Sequence, residues 1–147
     1  MARMFFLNLP VTDLKRATAF YEAIGFEKNP TFSNEVASSM MWSDAINVML
    51  LSHEFYSTFT PKQIIDAKTQ SGALLCLSFD SRDAVDAHTA AAVKAGGREL
   101  HEPQDHGFMY GRAFEDLDGH GWESMWMDAS GPAIIAEQNA AGQTQPA

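Results

Sequence analysis

Apolar residues recur along the chain with two different periods, which predicts strands alternating with helices. Residues 4–11 form a short apolar stretch that ends near Pro10, as in a strand close to its end. Asp13 can cap a helix, and Gly25 can end it. Between these two residues the apolar positions recur at spacings of three and four, which is the helical period: Leu14, Ala17, Phe20, Tyr21 and Ile24.

Short strands and one further helix are predicted next. The strands cover residues 26–28, 36–42 and 46–52, and a tight link joins the last two. Thr60 can cap a helix over residues 60–70, with Pro61 at its first helical position.

The same order of elements begins again after Gly72. The run "ALLCLSF" predicts a strand, "RDAVDAHTAAAVKA" a helix, and residues 98–103, 108–116 and 121–127 three strands with a hairpin turn at Asp118–Gly119. The capping residues Asp13 and Asp80 lie 67 positions apart. The order of one strand, one helix and three strands thus occurs twice in the sequence. This repeat predicts an internal duplication and two adjacent sheet-and-helix modules.

Composition narrows the range of functions. The chain of 147 residues with 46% hydrophobic content can fill one core but not two ordinary domains. Its formal net charge of -9 argues against nucleic acid or an anionic membrane as a partner. Cys76, the single cysteine, lies in an apolar run and is expected to be a buried thiol in a reduced compartment. The N-terminal apolar patch is too short for a signal peptide, so we expect a cytoplasmic protein.

Two sequence motifs resemble those of a known superfamily. "NLPVTDLKRATAFYEAIGF" near the start and "FEDLDGHGWE" near the end are similar to the opening and closing motifs of the vicinal oxygen chelate superfamily. This superfamily includes glyoxalase I, bleomycin-resistance proteins, methylmalonyl-CoA epimerases and extradiol dioxygenases. "EPQDHGFMYGRAFEDLDGHGWESMWMD" further resembles small bacterial proteins described as glyoxalase-like or as predicted lactoylglutathione lyases.

The resemblance implies an α+β fold of two tandem βαβββ modules that form a curved mixed sheet around a cavity. We expect one domain over residues 3–128, with modules at about 3–52 and 73–128 and a linker helix within 53–72. Residues 129–147 are expected to form a tail, with at most one short helix docked through Ile134 and Ile135.

The resemblance also implies where a divalent metal ion would bind. Glu123 falls at the last ligand position, whereas the other three positions fall on Phe6, Leu74 and either Met49 or Leu51. A catalytic metal needs about three protein ligands and one open position. A divalent metal is therefore possible but not supported by these residues, and Glu123 is the one candidate ligand.

Strand alternation predicts which side chains share the cavity with Glu123. If Phe6 faces the cavity, Asn8 does too, and Ser78 accompanies Leu74 in the same way. An apolar cavity with a few polar groups is typical of small-molecule sites. We therefore take Glu123 as the candidate catalytic acid or base, with Asn8, Ser78 and Met49 as ligand-binding candidates. The structural alternative is that Glu123 only accepts hydrogen bonds from nearby polar groups.

The stretch "GFMYGR" supplies two further ligand-binding candidates. Tyr110 and Arg112 share one face of a strand; on the cavity side, Tyr110 can stack on a ring and Arg112 can hold an anion. The alternative is a cross-strand ion pair of Arg112. Among the histidines, which lack metal spacing, His88 favours a structural role, and His101 and His106 could reach the cavity mouth.

Two functions remain open from the sequence. The first is a glyoxalase-like protein that binds a small, partly apolar molecule in a cavity containing Glu123, without the usual metal site. The second is a metal-dependent lyase or dioxygenase of the glyoxalase I or extradiol type with an unusual ligand set. The resemblance, together with the aromatic residues Phe55, Tyr56 and Phe59 in the linker, predicts a homodimer in which that segment covers the cavity or contacts a second subunit.

Overall fold

The computed structural model describes residues 2–142 and shows two sheets with their helices. The elements are β1 (Phe5–Val11), α1 (Leu14–Ala23), β2 (Glu27–Asn29), β3 (Ala37–Met41), β4 (Ile46–Ser52), α2 (His53–Tyr56), β5 (Leu74–Ser78), α3 (Arg82–Lys94), β6 (Arg98–Glu99), β7 (Gln104–Asp105), β8 (Met109–Glu115), β9 (Gly121–Met127) and α4 (Gly131–Ala140). The first sheet has the order β1-β4-β3-β2, and the second has the order β5-β9-β8-β6 with β7 also paired to β8.

The two modules repeat the same topology, which confirms the predicted α+β fold class. In each module the first strand pairs in parallel with the last: Asn8 lies opposite Met49 in β1–β4, and Cys76 lies opposite Glu123 in β5–β9. Asn8 precedes the first residue of α1 by the same distance as Cys76 precedes the first residue of α3. Met49 and Glu123 are therefore equivalent positions of the duplication.

One hydrophobic core joins the modules on the helix side of both sheets. Leu9 and Leu50 from the first sheet pack in the same cluster as Phe114 and Trp122 from the second. The rings of Tyr21 in α1 and Trp122 in β9 meet edge to face, with centroids 6.0 Å apart. Burial of apolar surface contributes about 25 cal/mol per Å² to the stability of the fold. Because this cluster contains residues of both modules, neither module has a complete core by itself.

A buried carboxylate fastens the β8–β9 turn to the first module. Asp116 accepts hydrogen bonds from the Tyr21 hydroxyl at 2.5 Å and from the backbone N–H groups of Asp118 and His120 at 2.9 Å each. Asp118 in turn accepts from the Thr12 N–H at 2.9 Å. Burial raises the pKa of Asp116.

The linker differs from the sequence-based expectation, whereas the C-terminal segment carries the one short helix that the expectation allowed. The helix predicted over residues 60–70 is absent, and the linker helix is the single turn α2. Pro61 and the β-branched pair Ile64–Ile65 lower helix propensity in that short segment, and its side chains instead pack over the strand ends. The expected tail carries α4, with Ile134 and Ile135 partly buried, and its residues 143–147 lie outside the described residues.

Within residues 2–142, no helix combines the length and the apolar character that crossing a membrane requires.

Candidate functional site

Glu123 lies on the sheet face that points away from the helices. In β9 its neighbours Trp122 and Ser124 are buried on the helix side, with Trp122 in the shared core, whereas Glu123 is half-buried on the other side. The β5–β9 register places Cys76 directly opposite it, and Ser78 and Met125 lie one step along on the same face. We call the surface formed by Cys76, Ser78, Glu123 and Met125 the Glu123 face.

The neighbouring Glu123 carboxylate affects the pKa of Cys76. Desolvation by its surroundings and then the negative charge of Glu123 raise the pKa of the Cys76 thiol, so the thiol stays protonated near neutral pH. Cys76 is exposed, which corrects the expectation of a buried thiol. The run "ALLCLSF" is mostly apolar, but only alternate residues of β5 face the helices.

The first module presents the equivalent surface with different chemistry. Asn8 and Met49 lie opposite each other on the side of β1–β4 away from the helices, together with Phe6, which is 55% exposed. Sequence reasoning missed Asn47, which shares this side. Asn47 is buried, and its side-chain nitrogen has no hydrogen-bond partner within residues 2–142. The sequence signal that could have identified it is the single amide among the apolar residues of "INVMLL".

Tyr110 and Arg112 lie on the opposite side of the second sheet from Glu123. The β8–β9 register pairs Arg112 with Ser124 and places both side chains towards α3. The Tyr110 hydroxyl and Arg112 Nη1 donate to Asp86 at 2.7 and 2.9 Å, and Arg112 also holds Glu99 through two bonds of 2.8 and 2.9 Å. This placement corrects the expectation that both residues line a cavity with Glu123, and it realises the alternative of an ion-paired Arg112.

The acidic partners of this network are held ionised. The hydrogen bond from Tyr110 is the main cause that lowers the pKa of Asp86, and the hydrogen bonds from Arg112 lower the pKa of Glu99. Arg112 has its own pKa raised, chiefly by Glu99. Because every charge in the network has a partner, the arrangement fixes α3 on the sheet and has no free group for an anionic ligand.

Arg82 fastens the loop that follows β7. Its guanidinium binds Asp105 in a bidentate pair at 2.5 and 2.9 Å and lies 4.8 Å from the centre of the Tyr110 ring. This pairing lowers the pKa of Asp105 to about 2. His101 Nδ1 donates to the Glu102 carbonyl at 2.9 Å, and His101 does not line the cavity described next.

A second feature, which we call the linker cavity, lies between residues 60–73 and the edges of β1 and β5. Its volume is about 620 Å³, within the usual range for small-molecule sites. Of the predicted site residues only Asn8 lines it, whereas Glu123, Ser78, Met49, Tyr110 and Arg112 do not. Tyr56 and His120 line it as well, so the aromatic linker partly covers a cavity, although Phe59 is 63% exposed.

The residues at the implied metal positions do not fit a catalytic metal centre. Phe6, Met49 and Leu74 carry no donor atom suited to a divalent ion, which leaves Glu123 with Cys76 beside it. In the part of the chain that the structure describes, no three His, Cys, Asp or Glu side chains converge as metal ligands. Two donors fall short of the three that such centres use.

Comparison with solved structures gives the same fold at low sequence identity. A hypothetical protein from S. aureus matches with a TM-score of 0.72 and 24% identity over 86% of this chain and 95% of that chain. A glyoxalase/bleomycin resistance protein/dioxygenase family enzyme from Burkholderia phytofirmans PsJN matches with a TM-score of 0.70 and 18% identity over 86% and 99%. The fosfomycin resistance protein FosX from Listeria monocytogenes matches with a TM-score of 0.61 and 19% identity over 86% and 91%.

No curated protein matches the sequence. The family model that matches is described as the Glyoxalase/Bleomycin resistance protein/Dioxygenase superfamily, and it covers residues 3–124. That span includes the first module, the second module as far as Ser124 in β9, the β8–β9 turn and Glu123. The chain therefore belongs to the glyoxalase/bleomycin resistance protein/dioxygenase superfamily.

Proposed function

We propose that this protein binds a small, partly apolar molecule at the Glu123 face without a catalytic metal centre. The observation that carries the proposal is the state of Glu123, a half-buried carboxylate without an ion-pair partner among the described residues. Glu115 has the same strand orientation but is held by Arg98 at 3.0 Å. Glu123 is thus the carboxylate of this face that remains available to a ligand.

The surroundings favour a ligand with an apolar body and one polar group. Met125 and Met127 follow Glu123 on the same face and offer flexible, polarisable contacts. Glu123 then accepts a hydrogen bond from the ligand or takes a proton from it. Met49, at the position of the first module that is equivalent to Glu123, extends the proposed ligand surface. The superfamily's description includes bleomycin resistance, which is compatible with a binding role.

The alternative is a metal-dependent lyase or dioxygenase, and metal analysis separates the two. We expect purified protein to contain no stoichiometric divalent ion by plasma mass spectrometry, and added Zn²⁺, Ni²⁺ or Fe²⁺ not to raise the melting temperature. One tightly bound ion per chain that disappears in Glu123→Gln would contradict the proposal and support the alternative.

Ligand binding is tested with a thermal-shift screen of small aromatic and aliphatic carbonyl compounds. A compound that stabilises the wild type should lose its effect in Glu123→Gln. The matched control is Glu22→Gln, the same change at an exposed position of α1, which should respond like the wild type. Equal stabilisation of all three proteins would remove Glu123 from the site.

We also propose that the protein is a homodimer. Four apolar side chains at the starts of β1 and β5 are more than half exposed, and a second copy would cover them: Met4, Phe5, Phe6 and Leu74. Light scattering after size exclusion should give twice the chain mass of 16.2 kDa. The double variant Phe5→Ser/Leu74→Ser should be monomeric, whereas Phe32→Ser, at a residue that is 67% exposed elsewhere, should stay dimeric.

A further inference from the structure

The linker cavity lies beside two strand edges that carry no neighbouring strand. In the described part of the chain, β1 pairs with β4 alone and β5 with β9 alone. Each strand therefore presents one row of backbone N–H and C=O groups towards the other side. Such edges pair readily with an extended segment of another molecule.

The hydrogen-bond pattern between β1 and β4 shows which backbone groups of β1 point to its open edge. The Phe5 N–H donates to the Ala45 carbonyl at 2.7 Å, which places Phe5 among the residues bonded to β4. In a parallel pair alternate residues direct both backbone groups to the same neighbour. Leu7 and Leu9 are therefore bonded to β4, and the N–H and C=O of Asn8 point to the open edge. Pro10, the next residue of that row, has no N–H to leave unpaired.

The β5 edge follows the same rule. The Phe79 N–H donates to the Met125 carbonyl at 2.7 Å, so the odd-numbered residues of β5 are bonded to β9. The backbone groups of Leu74 and Cys76 consequently point to the open side. Asn8 and Leu74 both line the linker cavity, so one cavity is bordered by an open position of each strand.

The linker covers these edges without pairing to them. Its backbone hydrogen bonds are local, for example from the N–H groups of Thr69 and Gln70 to the Asp66 carbonyl at 3.0 and 2.8 Å. Between residues 2 and 142, no backbone hydrogen bond joins residues 57–73 to β1 or β5. The backbone of Asn8 thus remains available to a molecule in the cavity.

The lining indicates an uncharged ligand with an apolar body. Apolar residues make up much of the lining, including Leu7, Leu9, Ile64, Leu75 and Leu100. The ionisable groups that line the cavity already have partners or face solvent. Glu115 binds Arg98, His120 Nε2 lies 2.8 Å from the Pro10 carbonyl, and Lys62 is exposed.

We propose that the linker cavity binds an uncharged molecule whose apolar body lies between two secondary amides, and that the N–H of one amide and the C=O of the other pair with the backbone C=O and N–H of Asn8. The pairing is that of a single added strand residue, with one hydrogen bond donated and one accepted. The apolar body occupies the space between Leu9, Ile64 and Leu75. This site is separate from the Glu123 face, because Glu123 does not line the cavity.

The test uses N-acetyl-L-leucine N-methylamide as the probe and proton–nitrogen NMR of the full chain. Without the probe, the Asn8 amide hydrogen should exchange quickly and those of Leu7 and Leu9 slowly. The probe should shift the Asn8 resonance and slow its exchange. The analogue methylated at the leucine nitrogen loses one donor and should bind about tenfold more weakly.

Variants inside and outside the linker cavity establish where the probe binds. Ala73→Phe and Thr69→Phe place a ring in the cavity from two linker positions, and each should abolish the Asn8 response; the second variant serves if the first does not fold. Ala90→Phe, on the exposed side of α3, and Glu123→Gln should bind the probe like the wild type.

Four results would overturn the proposal. They are an Asn8 amide that is already protected without the probe, no Asn8 response to the probe, equal affinity for the methylated analogue, and unchanged binding in folded cavity-filling variants. Loss of the carbonyl-ligand response in Glu123→Gln with retained probe binding would show that the two sites act independently.

Discussion

His88 gives this protein a predicted loss of stability in mild acid. The imidazole is buried, and its ring lies 5.4 Å from Trp42, 4.7 Å from Phe79 and 5.4 Å from Phe114, measured between centroids. Its Nδ1 is 2.8 Å from the Ser124 hydroxyl oxygen. A charged imidazolium in this aromatic setting would lose most of its hydration, so the folded protein keeps His88 neutral.

The size of the effect follows from the pKa of His88. Burial lowers the pKa of His88 from 6.5 to about 4, although the Ile24 backbone acts to raise this pKa in part. Above pH 6.5 both the folded and the unfolded chain hold His88 neutral, and the stability is fully present. Between pH 6.5 and 4 the unfolded chain binds a proton that the folded chain does not, so stability falls as the pH falls. Proton linkage gives a loss of about 2 kcal/mol on going from pH 8 to pH 5.

Urea unfolding of the wild type and of His88→Gln measures this loss. Glutamine keeps a hydrogen-bonding partner for Ser124 and does not titrate, so the difference between the two proteins should shrink by about 2 kcal/mol from pH 8 to pH 5. Asp116 also titrates with a raised pKa, but it is present in both proteins and cancels in the difference. His101→Gln, at an exposed loop position, should follow the wild type. If the wild type and His88→Gln show parallel pH dependences, His88 is not the buried neutral group described here.

Three further changes have expected effects on the free energy of unfolding, each measured by urea unfolding at neutral pH. Tyr21→Phe should destabilise the protein by roughly 2 kcal/mol, because buried Asp116 loses the hydroxyl donor at 2.5 Å; a loss below the error of the measurement would contradict this. Asn47→Leu should stabilise it by about 1 kcal/mol, because the buried side-chain nitrogen has no partner among the described residues; clear destabilisation would show that the amide has one. Gly119→Ala should cost more than Gly107→Ala. Both glycines have positive φ angles, but a Cβ at Gly119 would lie 2.7 Å from the linker backbone, whereas none of the described residues comes within 4 Å of one at Gly107. Equal costs would argue against the packing of the linker over the turn.

The sequence predicted the central strands of the two sheets well. The predicted bounds of the strands at 46–52 and 121–127 agree with β4 and β9, because each of these strands has several buried residues that constrain it. The stretch 98–103 instead forms only the two-residue strand β6 followed by a loop, and the short strand β7 comes directly after it. A short edge segment has few buried positions, so its local pattern constrains it weakly.

The candidate site was predictable only in part. The side on which Glu123 lies followed from the alternation of Trp122, Glu123 and Ser124 within one strand. The orientation of Tyr110 and Arg112 relative to Glu123 depended on the register between two strands, which pairs Ala113 with Glu123. A shift of that register by one residue would have exposed the opposite set of side chains, and local sequence does not fix it.

The sequence by itself determined the duplicated order of elements, the hairpin turn at Asp118–Gly119 and the apolar residues at three of the implied metal positions. These properties depend on local periodicity and residue chemistry. Tertiary structure alone decided that Arg112 forms ion pairs with Glu99 and Asp86. It also decided that the linker covers the open edges of β1 and β5 without pairing to them. Those outcomes depend on contacts between residues far apart in sequence, where the competition among possible partners is settled by packing of the whole chain.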